Sequence, residues 1–366
     1  MVKVFTINID MPTFDNIKRV HVELTDKCNA ECPMCVRRVW GGVLRPVIQN
    51  IELNLDYFKL LDDDFISNVE YWMLCGVKGD PIACTELFEI CEYLLSKNPQ
   101  TEISIRTNGG FRSTDWWTQL GNLFVDTNCE VMFGIDGLED TNHLYRKNVK
   151  WNKLWDNVMA YNSTGAKTSW QYLVFEHNQH QVDEAKVLAS KYNINLFVQE
   201  PFGFAEQEGN KIQPINVYNR EGEYIYNIWP ANLEEERKGV LEPGEGIPNA
   251  GEVDNSIHWM DVNKGDYNVS CKIGNEADDL YIDGSGAIMP CCYLGASIGY
   301  DDDNQIQEIF RDLNSFIPSK TNTLSDILSN TFFTKTLLNG ISGDLSTKPV
   351  YIGKCLETCG MCADSR

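Results

Sequence analysis

The strongest chemical signal lies in residues 20–38, VHVELTDKCNAECPMCVRR. Cys28, Cys32 and Cys35 sit there in a C-x3-C-x2-C spacing. Three thiolates on one short loop can converge on one metal centre. Zinc takes four ligands, usually in paired Cys or Cys/His sets. The next candidates down the chain are Cys75 and His143, well removed from this loop. Three ligands suit a [4Fe-4S] cubane with one open iron. The plainer alternatives are a half-built zinc site or three core cysteines.

A second set of thiols lies toward the other end. Residues 271–292 read CKIGNEADDLYIDGSGAIMPCC, and residues 355–362 read CLETCGMC. Of thirteen cysteines, three are in the first loop and six fall in the last hundred residues. Clustered cysteines in an intracellular chain point to metal rather than disulfides. Four thiolates would also make a zinc site. Cys75, Cys84, Cys91 and Cys129 are read as core residues, the usual fate of a free buried cysteine.

The elements around the first loop are legible. Val20, Val22 and Leu24 alternate with His21, Glu23 and Thr25, the period of a short strand. Asp26, Lys27 and Asn29 break it. The thiols therefore follow the carboxyl end of a strand, where parallel α/β barrels place their chemistry.

On these residues the chain resembles the radical S-adenosylmethionine (SAM) enzymes. The resemblance implies that Cys28, Cys32 and Cys35 hold a [4Fe-4S] cluster whose fourth iron binds SAM, with Met34 near the adenine. Gly76-Val77-Lys78-Gly79-Asp80-Pro81 is similar to the second family motif, GGEP, with Lys78 and Asp80 as departures. Gly79 permits the sharp turn, and Asp80 offers a carboxylate to the SAM ammonium. Thr107-Asn108-Gly109 ends another strand and brings Asn108 to the same rim. Gly134-Ile135-Asp136-Gly137 resembles the family's S-x-D-G segment around Asp136, with glycine for serine. Arg146 either neutralises the SAM carboxylate or helps bind substrate, unless it is a surface arginine. Gln171 is placed to touch ribose or adenine.

The C-terminal cysteines resemble the SPASM or twitch extension of the same enzymes. Cys271, Gly286 and Cys291 match its opening C-x14-G-x4-C pattern. That implies an auxiliary [4Fe-4S] cluster on Cys271, Cys291, Cys355 and Cys359, with Cys362 as rival for the fourth place.

Periodicity gives the frame. Strands are expected at 69–75, 103–107, 131–135, 169–175 and 195–199. Helices are expected around 53–61, 87–95, 116–124, 151–159 and 179–192, the last opened by an Asn178/Gln181 capping box. Six strand–helix units over 20–200 call for a parallel sheet. The fold class is α/β: a partial (β/α)6 TIM-like barrel with a smaller C-terminal auxiliary-cluster domain, the barrel itself implied by the resemblance. The expected domains are 1–203, the barrel; 204–270, an irregular connection or a substrate-bordering insertion; and 271–366, the auxiliary domain. Within the last, 280–282 and 287–289 form a hairpin and 324–338 a helix.

The net charge is −22, from 31 basic and 53 acidic residues. That field disfavours a nucleic-acid substrate. No apolar run of about 18 residues and no signal peptide are seen, so the chain is read as cytoplasmic with no membrane span. The resemblance implies reductive cleavage of SAM to methionine and a 5′-deoxyadenosyl radical, which takes a hydrogen atom from a peptide or small-molecule substrate. Cluster potentials span roughly −700 to +450 mV, and this reaction needs the low end. A flavodoxin- or ferredoxin-type electron donor is implied. The competing class is a non-catalytic iron–sulfur or zinc protein.

Overall fold

The computed structural model describes residues 16–201, 203–207, 209–239, 267–269, 279–297, 310–337 and 360–362. Six strands alternate with helices: β1 Arg19–Val22, α1 Leu55–Phe58, α2 Asp63–Asn68, β2 Tyr71–Leu74, α3 Leu87–Lys97, β3 Glu102–Thr107, α4 Thr114–Phe124 and β4 Glu130–Gly134. Then follow α5 Asn142–Tyr145, α6 Trp151–Asn162, β5 Lys167–Leu173, α7 Val182–Lys191 and β6 Asn195–Gln199. All six strands are parallel and lie side by side in chain order.

Sequential order without reversal has a consequence. Each right-handed crossover puts its helix on the same face of the sheet. The helices therefore form an outer layer and the other face becomes the interior of an open barrel. The side chains agree. Val20, Val22, Trp72, Leu74, Ile103, Ile105, Val131, Phe133 and Trp170 are buried on the helix side. Aromatic contacts join the layers: Phe65 of α2 meets Trp72 edge-on, Trp117 of α4 lies 5.2 Å from Phe133, and Trp155 of α6 lies 6.1 Å from Trp170. The alternate residues, among them His21, Ser104, Arg106, Glu130, Ser169 and Gln171, face the interior.

Several expectations need correction. Asn178 and Gln181 do not form a capping box. Asn178 accepts from the Phe175 amide at 2.7 Å and donates to the Asp136 and Leu173 carbonyls, while Gln181 accepts from Leu138 and donates to Asp140. Both side chains brace the turn after β4 instead. Residues 204–239 are also more regular than expected. They hold two hairpins, β7 Glu206–Gln207 with β8 Lys211–Ile212 and β9 Ile215–Tyr218 with β10 Tyr224–Ile228.

β11 Tyr267–Val269 comes next, and then the expected hairpin, β12 Asp279–Ile282 with β13 Ile288–Met289. It joins the main sheet: β12 lies parallel beside β1, with Arg19 opposite Asp279 and Val22 opposite Ile282. The sheet thus runs β13-β12-β1-β2-β3-β4-β5-β6. Beyond it lie α8 Cys292–Ser297, α9 Leu324–Leu328 and a π-helical turn over Phe332–Thr336. α9 begins with a capping box from Thr323 and Asp326. Finally β14 Gly360–Cys362 pairs antiparallel with β11.

Candidate active site

The cysteine loop leaves β1 and is braced on every side. The Glu23 amide donates to the Ile282 carbonyl of β12. Asp26 Oδ2 accepts from the Gln49 and Asn50 amides at 2.7 and 3.1 Å. The Arg37 guanidinium donates to the carbonyls of Asp26 and, at 2.9 Å, Lys78. Asn148 donates to the Asn29 carbonyl at 2.7 Å, and the Glu31 amide to the Lys147 carbonyl at 3.0 Å. Buried backbone polar groups thus find partners, and the loop has a fixed path.

The three thiols share one environment. Cys32 is buried and Cys28 and Cys35 are half-buried. Burial pushes each thiol up, Cys32 to about 11, and their mutual electrostatic effect adds to this. Opposing it at Cys32 is the Arg146 guanidinium, whose Nη1 is 3.9 Å from Sγ. Cys28 Sγ accepts from the Ala30 amide at 3.3 Å and faces Asn108 Nδ2 at 3.6 Å. Among the described residues no three His, Cys, Asp or Glu side chains could hold a single metal ion. A cubane differs, because each thiolate binds its own iron. Three thiols on one short loop, with N–H donors directed at two of the sulfurs, fit such a group, since N–H donors to the sulfurs tune its potential.

The glycine-rich turn packs directly on this loop. A Cβ on Gly79 would lie 1.8 Å from the Thr25 carbonyl oxygen, so only glycine allows the approach. Asp80 is buried, and its carboxylate accepts from the Ile82 amide at 3.2 Å, the Asn108 amide at 2.8 Å and Asn108 Nδ2 at 2.6 Å. Burial pushes this carboxyl up, against those hydrogen bonds. Asn108 also donates to Asn29 Oδ1 at 3.0 Å, tying the rim turns after β2 and β3 to the cysteine loop.

The turn after β4 works the same way. Asp136 is fully buried; one oxygen takes Arg146 Nε at 2.6 Å and the other the Leu173 amide at 2.7 Å. This ion pair aims Arg146 at Cys32, so Arg146 is not a surface residue. A Cβ on Gly134 would lie 2.5 Å from Arg146 Nη2. That approach accounts for glycine where the resemblance expects serine. Gln171 bonds Gln199 Oε1 at 2.8 Å across β5 and β6. Gly203, at φ +97°, approaches Met34: its Cβ would lie 3.3 Å from Met34 Cε.

The structure thus brings Cys28, Cys32, Cys35, Gly79, Asp80, Asn108, Asp136 and Arg146 to one connected rim. Cys291 is half-buried just after β13. Cys271, Cys355 and Cys359 lie outside the described residues, and Cys362 is described as backbone only. Cys84, Cys91 and Cys129 are core residues, fully buried. Cys75 is not: it is half-buried just after β2, and burial pushes its thiol up to about 12, with the Arg106 charge opposing that.

Sequence reasoning missed a buried link beside this rim. Glu23 is fully buried and accepts from the Lys78 amide and from Tyr281 Oη at 2.9 Å. The available signal was the alternation that points Glu23 to the same side as His21.

The barrel, the three-thiol loop at its mouth and the turns packed on it form the arrangement that the radical SAM resemblance implies. No family model matches the chain, and no curated protein matches it. Solved structures do. One is anSMEcpe with bound AdoMet, at 14% identity and TM-score 0.41, covering 52% of each chain. Another is Streptococcus suis SuiB bound to precursor peptide SuiA, at 12% identity and TM-score 0.48, covering 83% of this chain and 65% of that one. A third is BtrN in complex with AdoMet and 2-DOIA, at 14% identity and TM-score 0.37, covering 89% and 87%. The match thus spans about half the length of the first of these.

Proposed function

We propose that the chain is a radical SAM enzyme that abstracts a hydrogen atom from a peptide or protein. The observation that carries this is the rim itself: three cysteines on one short, braced loop, with Asn108 and Arg146 directed at two of the thiols. A [4Fe-4S] cluster held by Cys28, Cys32 and Cys35 would supply the single electron that cleaves SAM to methionine and a 5′-deoxyadenosyl radical. The chain's own residues do the rest. Arg146 places positive charge beside Cys32, where the methionine carboxylate of SAM would be received. Asp136 fixes the direction of that guanidinium. Asp80 holds the turn after β2 against Asn108, leaving that turn's backbone to meet the ammonium. Met34 and Gly203 form one wall for the adenine, and Gln171, paired with Gln199, is assigned to the ribose or adenine.

Residues 271–366 are proposed as an auxiliary [4Fe-4S] region using Cys271, Cys291, Cys355 and Cys359, with Cys362 as rival. Its support is the β11–β14 ladder. Val269, two residues before Cys271, is opposite Gly360, one residue after Cys359. The ladder pairs the residues that lead into the first of these segments with those that follow Cys359, Tyr267 lying opposite Cys362 itself. The peptide reading follows the resemblance to the SPASM extension. A low-potential flavodoxin- or ferredoxin-type donor is proposed as the electron source.

Anaerobic reconstitution tests both parts. About eight irons per chain are expected, two cubanes of four, with 5′-deoxyadenosine formed from SAM and dithionite. Iron bound without 5′-deoxyadenosine would leave an electron-transfer protein; zinc in place of iron would remove the reading altogether.

A further inference from the structure

The interior face of the barrel carries a cation without an anion. Arg106 lies on β3 between Ile103/Ile105, which face the helices, and Asn108, which faces the rim. Its neighbour in register on β4 is Met132. Arg106 Nη1 meets only the Met132 thioether, at 3.0 Å, and its Nε is buried with no hydrogen-bond partner. Among the described residues no carboxylate pairs with it. Two other arginines with a buried Nε differ. Arg37 has two carbonyls, and Arg38 has the Gly42 carbonyl and Glu31.

The nearby carboxylates are each committed elsewhere. Glu23 takes the Lys78 amide and Tyr281. Glu130 takes Ser104 and Ser169, with Lys167 at 3.4 Å. Asp80 takes Asn108 and Asp136 takes Arg146. His21, also beside Arg106, donates or accepts at the Cys75 carbonyl and brings no negative charge. In a chain of 53 acidic residues, a guanidinium left with a thioether stands out. Arg106 is half-buried, so its guanidinium can be reached from the barrel interior while its Nε is shut off from water; an unpartnered buried donor of this kind usually has a functional reason.

We propose that Arg106 is an anion-binding group inside the barrel, set to receive a carboxylate of the substrate. This rests on the barrel being the reaction chamber. Arg106 is two residues before Asn108, which faces Cys28, so its side chain is one strand layer, about 6.6 Å, further in than the rim. A substrate carboxylate held there by the guanidinium fork would present its neighbouring carbons toward the rim.

The test uses the reconstituted full chain and two small probes, succinate and its uncharged twin succinamide. Phenylglyoxal modifies accessible guanidinium groups, and peptide mass spectrometry reads its rate at Arg106. Succinate should bind about tenfold more tightly than succinamide, a difference of about 1.4 kcal/mol, and should slow modification of Arg106. Arg106→Met should abolish the preference for succinate, and Arg106→Lys should keep part of it. The wild-type measurement needs no variant to fold. Equal protection by both probes overturns the proposal. Full protection by SAM alone also overturns it, because the carboxylate held would then be the cofactor's. Absence of 5′-deoxyadenosine would sink the enzyme reading while leaving succinate protection in place, so the two failures are distinguishable.

Discussion

At the scale of single residues, the rim works through pairs in which one member directs the other. Asp136 aims Arg146, and Asp80 anchors Asn108. Cys32 is the most constrained thiol, being buried and facing Arg146. Cys32→Ala should abolish 5′-deoxyadenosine formation and lower bound iron, read by iron counting and product chromatography; full SAM cleavage by this variant would refute the ligand assignment. Glu23 gives a second prediction. Burial pushes its carboxyl from its ordinary 4.5 up to about 7, against the Lys78 amide and Tyr281. The folded state therefore keeps a proton that the unfolded chain releases. Stability is fully present below about pH 4.5 and is lost as pH rises through about 7, by roughly 3 kcal/mol. Glu23→Gln should flatten that slope. Urea midpoints measured at about pH 5 and about pH 7.5 report it, and an unchanged slope would show that another group carries the titration.

At the scale of elements, two tight approaches fix the rim. Gly79 presses on the Thr25 carbonyl and Gly134 makes room for Arg146. Gly79→Ala should destabilise the fold by at least about 1–3 kcal/mol, as overpacking does, and displace the cysteine loop. Thermal unfolding with iron content would show both; a variant of wild-type stability would mean the turn can shift. The strands and long helices were legible because burial imposes regular periods on them. β3 runs Glu102–Thr107 where its pattern predicts 103–107, with Ile103 and Ile105 buried, and Ser113 caps α4 by accepting from Trp116 at 3.2 Å. The Asn178/Gln181 capping box failed because its side chains found partners on another strand's turn, which local pattern cannot show. Cys75 was misplaced for a similar reason. Its run is apolar, but alternation turns its side chain inward. The pairing of Arg146 with Asp136 needed the fold, since the nine residues between them contain a turn and α5.

At the scale of the molecule, the C-terminal part is built into the barrel sheet. The hairpin seen in the sequence was expected in a separate region; its pairing with β1 left no local signal. The β11–β14 ladder pairs Tyr267–Val269 with Gly360–Cys362. Cys359→Ala should lower bound iron by about four per chain, one cubane, while 5′-deoxyadenosine is still formed and substrate product is lost. Loss of all iron would instead mean that the two regions fold as one metal unit. No helix among the described residues is long and apolar enough to cross a membrane.

The seating of β12 against β1 also dictates an order of events during synthesis. Arg19 and Asp279 are 260 positions apart, yet they are neighbours in the finished sheet. Contacts so distant along the chain form late. Until Tyr281 emerges from the ribosome, Glu23 lacks its hydroxyl partner and the strand leading into the cysteine loop has one naked edge. A nascent chain would accordingly present those thiols on an unfinished support, and iron delivered after translation would find the better receptacle.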